Sequence, residues 1–132
     1  MHWRLFRQSL CAMPEPQQFA AVAAYWAQAP LVPISREPEA WPSIWQMMQD
    51  NRWCRHSVAV GMEATLRLAG IPAERLTLQW IKDNQGVLLV LVIDRECMLN
   101  YDWGSVRAVR DVVHTILRQW RYIDKDYINL DG

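Results

Sequence analysis

The sequence predicts an α+β domain, helices first and an antiparallel sheet after them, and three observations carry that reading. Apolar residues recur at helical spacing, first Phe19, Val22, Ala23 and Trp26, then Val58, Met62, Thr65, Leu66 and Ala69. At Arg75 the period changes to two, and the apolar run "VLLVLVI" follows between the turn signals "KDNQG" and "DRE". Finally, 132 residues of which 52% are hydrophobic suit one core, so residues 1–132 are read as a single domain.

Each element follows from local chemistry. An opening arm, its apolar runs broken by Arg4, Arg7 and Gln8, leads through Pro14 and Pro16 into the first helix, which Pro30 stops. Residues 31–38 hold two more prolines and form a connector. In "AWPSIWQMMQD", Trp41, Ile44, Trp45 and Met48 share a face, which predicts a second, shorter helix. Cys54 opens a third helix, the central one, ended by Gly70 and Pro72. Leu76, Leu78 and Trp80 alternate with polar neighbours on a first strand, the apolar run forms a second strand covered on both faces, and 97–101 closes a three-stranded meander. Ser105 is suited to cap a C-terminal helix with Val106, Val109, Val113, Ile116, Leu117 and Trp120 on its apolar side. The tail "RYIDKDYINLDG" is polar and is expected to dock loosely.

Composition excludes several functions. Fourteen basic and fourteen acidic side chains cancel, so no global field draws the chain to nucleic acid or anionic lipid. Three cysteines without CxxC spacing give neither a disulfide framework nor a zinc site, and there is no Gly-rich phosphate loop, HExxH, nucleophile elbow or dinucleotide fingerprint. No metal and no cofactor are therefore expected. The N-terminus lacks a continuous apolar signal segment, and the longest apolar run falls far below the ~18 residues of a membrane helix. The expectation is a cytoplasmic protein with no membrane contact. Its partner is expected to be another protein, because eight Trp, Trp3 and Trp103 among them, exceed what one such core can bury; oligomeric state is not legible.

The stretch "NRWCRHSVAVGM" places a cysteine where a helix begins. A thiol there faces unpaired backbone N–H groups and the positive end of the helix dipole, which favour a thiolate, and Arg52 and Arg55 push the same way. The other reading of Cys54 is a small apolar residue at the root of a core helix. His56 is two residues away, about 200° round a helix, so the two side chains diverge unless Cys54 precedes the first turn.

The segment "CRHSVAVGMEATLRLAGIPAERLTLQWIKDNQGVLLVLVIDRECMLNYDW" resembles the core of the bacterial transglutaminase-like cysteine proteinases, most faithfully in "LRLAGIPAERLTL". The resemblance runs from about Trp41 to Trp103. It implies a papain-like, transglutaminase-like fold, found in bacteria and in their viruses, with Cys54 at the nucleophile position of a cysteine peptidase, amidase or acyltransferase. It further implies that Asn100, or Asp102 two residues on, stands where the family carries the carboxylate that orients its base. The family's histidine position falls on Gly86 and Val87, and no histidine lies between His56 and His114. His56 is then the nearest substitute base in sequence. With that departure the expected function is a catalytically silent protein-binding or assembly module, and the alternative is an active enzyme using Cys54.

A second candidate surface is basic. Arg107, Arg110, His114, Arg118 and Arg121 would project from one sector of the predicted C-terminal helix. They form either a solvated face or a docking strip for an acidic protein surface or a phosphate backbone.

Overall fold

The computed structural model describes residues 3–29 and 54–131. Among these residues the chain forms three helices and one six-stranded antiparallel sheet, so the α+β expectation holds. The helix expected over Trp41 to Met48, the 31–38 connector and Arg52 fall outside the described residues.

The opening arm is itself a helix, α1 (Trp3–Leu10), and α2 is Glu15–Trp26. Pro16 lies in the first turn of α2, where its missing N–H costs nothing. The central helix α3 is Ser57–Leu68. It stops as the sequence dictates: Gly70 takes φ +116°, its N–H donates to Arg67 O at 3.2 Å, and the Ile71 N–H reaches back to Leu66 O at 3.0 Å. That is the Schellman arrangement, which needs a residue without a Cβ at Gly70.

Strands β1 (Leu76–Asp83) and β2 (Gly86–Ile93) make the expected hairpin, in register from Leu76 opposite Ile93 to Asp83 opposite Gly86. The Asp83 carboxylate closes the turn by accepting the N–H groups of Gln85 and Gly86. β3 (Cys97–Leu99) pairs with Leu91–Ile93, so among the described residues no strand pairs with the first half of β2 on that side.

Beyond Ser105 the expected C-terminal helix is replaced by β4 (Val106–Ala108), a 3₁₀ turn at Val109–Asp111, β5 (Thr115–Ile123) and β6 (Asp126–Asn129). The strand order is β4-β3-β2-β1-β5-β6. The chain therefore leaves one edge at β4 and passes three strands to reach β1 on its far side. The strap that makes this crossing packs Val109 and Val112 on Val90, Val92 and Met98. The tail does not dock loosely: it turns at Asp124 and Lys125, both at positive φ, into a hairpin pairing Tyr122 with Tyr127.

Alternation divides the sheet. Leu76, Leu78, Leu89, Leu91, Ile93 and Leu99 face α2 and α3 and form the main core, while Ile81, Val90, Val92 and Met98 face the strap. On the helix side Thr65 Oγ1 accepts from the indoles of Trp3 (2.8 Å) and Trp26 (3.0 Å) and donates to Gly61 O. Trp3 is thus a core residue rather than surplus surface. No helix among the described residues is long and apolar enough to cross a membrane.

Candidate functional site

Cys54 precedes α3 by one turn and is bonded to it reciprocally. Its N–H donates to Ser57 Oγ at 2.8 Å, and the Ser57 N–H donates to Cys54 Sγ at 3.3 Å. The thiol takes the role an N-cap oxygen plays in a capping box, and the Val58 N–H closes the turn on Cys54 O. The helix-start geometry expected for Cys54 is present, and the side chain is buried at 6% exposure.

His56 turns toward the sheet. Its Nδ1 accepts the Leu89 N–H at 3.3 Å and its ring packs on Trp80, 4.7 Å between centroids. An Nδ1 that accepts from an amide carries no proton of its own, so this ring is held in one tautomer as an acceptor to β2. Asn100, fully buried at φ +72°, holds the other half of the same residue: its Nδ2 donates to Leu89 O at 2.9 Å and to Arg55 O at 2.8 Å. The Asn100 carbonyl is engaged as well, since Arg55 Nη1 donates to Oδ1 and to Asn100 O (2.7 Å), while Nη2 donates to Tyr101 O at 3.2 Å. Both Nδ2 hydrogens of Asn100 are consequently spent on backbone carbonyls, and its Oδ1 accepts from the guanidinium.

Beside this cluster lies a cleft of about 420 Å³ lined by Arg55, Val87, Tyr101, Asp102, Arg107 and the Asp83 turn. Asp102 forms an ion pair with Arg107 at 2.5 Å, and Tyr101 Oη donates to Asp83 at 2.8 Å. That hydrogen bond and those of the turn amides hold the Asp83 carboxyl below its ordinary value. Burial draws the Arg55 guanidinium below its ordinary value, with Asp102 acting in the opposite sense. The Trp103 ring lies over Arg55 at 4.8 Å from its centroid.

Asn100 and Asp102 therefore meet at Arg55, the residue after Cys54, while Cys54 itself bonds to the start of α3 and His56 to the sheet. The basic stripe does not form, because the helix it needed is absent. Arg107 joins the cleft through Asp102, and Arg110 is exposed in the 3₁₀ turn. His114 Nδ1 lies 2.8 Å from Val112 O in the strap, and Arg121 donates to Thr77. Arg118 opposite Trp80 and Arg121 opposite Ile128 fall on opposite faces of β5. Sequence reasoning placed Arg55 beside the thiol and missed its reach to Asn100. It also missed Tyr101 and Asp83, for which the only local signal was the Asp-Asn-Gln-Gly turn.

Solved structures of LapG from Legionella pneumophila share the fold of this chain, in which the helix after Cys54 packs across an antiparallel sheet. The calcium-bound form superposes with a TM-score of 0.78 at 13% identity, over 98% of this chain and 77% of that one. A second LapG structure gives 0.75 at 15% identity with the same coverage, and an EGTA-treated form 0.75 at 14%, over 98% and 79%. No family model and no curated protein matches the sequence.

Proposed function

We propose that this chain is a catalytically silent form of the transglutaminase-like cysteine-proteinase fold and works as a protein-binding or assembly module. The observation that carries the reading is the occupation of Asn100. Arg55 Nη1 donates to its Oδ1 and both Nδ2 hydrogens go to Arg55 O and Leu89 O, so the oxygen that would accept from a base is already shared with a guanidinium. Val87 stands where the resemblance puts the histidine, and His56 is committed to Leu89 and Trp80. A thiol without a base to carry protons to the leaving group is a poor amidase.

The alternative, an active cysteine peptidase or amidase, draws on one feature: the Ser57 N–H on Cys54 Sγ, a helix-start amide aimed at the sulfur. One of the LapG structures is calcium-bound, and among the described residues of this chain no group of three His, Cys, Asp or Glu is placed to hold a metal ion. We place the module in the cytoplasm, in keeping with its three free cysteines.

The test is hydrolysis of a mixed peptide-amide library, read by mass spectrometry with wild type and Cys54→Ser. The expected result is identical product profiles and equal melting temperatures for the two proteins. Cleavage that disappears in Cys54→Ser while the fold persists would establish the enzyme and overturn the module.

A further inference from the structure

We propose that the cleft beside Arg55 is a recognition site for a peptide carboxylate, with Arg55 as its charged anchor and the open edge of β2 at Val87 as its rail. The proposal rests on the silent-module reading and names the chemistry of its partner.

Among the described residues Arg55 has no direct ion-pair partner, and Asp102 acts on it only from beyond hydrogen-bond reach. Arg55 is half-buried, and all three oxygens it bonds, Asn100 O, Asn100 Oδ1 and Tyr101 O, are neutral. Among the described residues no carboxylate lies within ion-pair distance of it; the nearest acid in the cleft, Asp102, is taken by Arg107. Removing a guanidinium from water is costly unless an anion answers it. By count, Nη1 has spent both hydrogens and Nη2 one, which leaves Nε–H and one Nη2–H. One carboxylate can accept both of these at once.

The surroundings select a peptide. Because β3 reaches only Leu91–Ile93, the Leu89 N–H and C=O are met by His56 and Asn100 instead of a strand. Two residues earlier, Val87 turns its own N–H and C=O to the same side by strand alternation. Val87 lines the cleft at 40% exposure. An extended chain laid there bonds the Val87 backbone as an added strand does, with its carboxylate toward Arg55. Trp103, 40% exposed and stacked on Arg55, supplies an aromatic wall. The carboxylates of Asp83 and Asp102 in the same lining favour a singly charged carboxylate over a doubly charged phosphate.

The experiment follows the Arg55 Nε–H and Trp103 indole N–H resonances of the 132-residue chain by NMR during titration with three probes. These are tetra-alanine with a free C-terminus, its C-terminal amide, and an N-acetylated amide peptide with one internal Glu. A carboxylate-bearing probe is expected to shift those resonances saturably, with the uncharged amide about tenfold weaker. Stronger binding of the free C-terminus assigns the anchor to an α-carboxylate, and stronger binding of the internal Glu assigns it to an acidic side chain; either supports the proposal. In Arg55→Lys, which keeps the charge but not the planar two-donor edge, affinity read from the Trp103 indole N–H resonance should fall about tenfold. Equal response to the amide, or no shift with any probe at millimolar concentration in wild type, overturns the proposal whatever the variant does. Turnover of a bound peptide that depends on Cys54 would instead remove the silent-module reading and leave the carboxylate anchor standing.

Discussion

On the helix side of the sheet ten consecutive residues of α3, Ser57 to Leu66, are buried, whereas on the strap and the β5–β6 hairpin Val113, Ile116, Leu117, Ile123 and Ile128 remain exposed. Both regions are rich in branched aliphatic residues, so composition does not separate them. Coverage does. α1 and α2 lie over α3 and close a second layer around it, while among the described residues the opposite side is covered by one short strap that packs on Val90, Val92 and Met98. The two regions should therefore answer differently to the same kind of change.

The largest effect is expected on the covered side. Gly61 lies inside α3, and a Cβ there would meet the Trp26 ring at 2.7, 2.8 and 3.0 Å. The ring is buried and its Nε1 is bonded to Thr65, so it has little freedom to withdraw. Alanine in a helix is intrinsically better than glycine by about 1 kcal/mol, but overpacking costs about 1–3 kcal/mol and should win. Gly61→Ala is expected to lower stability in urea denaturation. An unchanged or raised midpoint would mean that the helix layer is looser than its distances imply.

A smaller effect tests the seam between the regions. Glu63 on α3 is buried at 1% exposure and is held by Arg67 at 3.1 Å and by the Tyr127 hydroxyl of β6 at 2.9 Å, while Arg67 stacks on Tyr122. Burial pushes the Glu63 carboxyl up, against the pull of Arg67 and Tyr127. A group whose folded value exceeds its unfolded one contributes stability that is complete below the unfolded value, about 4.3, and is lost as pH rises through the folded value. The stability of wild type minus that of Glu63→Gln should therefore grow as pH falls from 7.5 toward 4.5. Taking the difference cancels the acid loss of Asp83, Asp94 and Glu15, whose values are lowered in both proteins. Urea melts at several pH values would decide it, and a difference that shrinks on acidification would mean that Arg67 and Tyr127 outweigh burial.

The same contrast explains what was legible in the sequence. α2, the stop of α3 at Gly70 and the β1–β2 hairpin are written in local chemistry: a 3.6-residue period, a glycine at positive φ, an Asp that closes its own turn. The C-terminal third is not local. Leu78 meets Trp120 only because the strap crosses the sheet, and no window of the sequence contains both. The site divides in the same way, since Cys54 at a helix start can be read from its neighbours, whereas the Arg55–Asn100 bond joins positions 45 apart. The polar tail misled for a different reason. The Asp124-Lys125 turn uses positive φ at two non-glycine residues, so the usual Asn-Gly signal of a hairpin is missing.

The smallest expected effect lies in two adjacent residues of the strap and tests the comparison most directly. A helical reading puts Val113 on the apolar face and leaves out Val112, yet Val112 is 7% exposed and packs with Val90, Val92 and Met98, while Val113 is 94% exposed. Val112→Ala removes two methyl groups from a thin layer that can partly collapse, so a loss of about 1 kcal/mol is expected rather than the larger cost of a deep cavity. Val113→Ser removes nothing from any contact and should change stability by less than about 0.5 kcal/mol. The pair is measured in one urea series on the full chain. Equal losses at both positions would mean that the strap is a helix in solution and that the sheet ends at β3. A loss confined to Val112 would mean that the crossing holds and that Val112 seals the cluster of Ile81, Val90, Val92 and Met98 on that face.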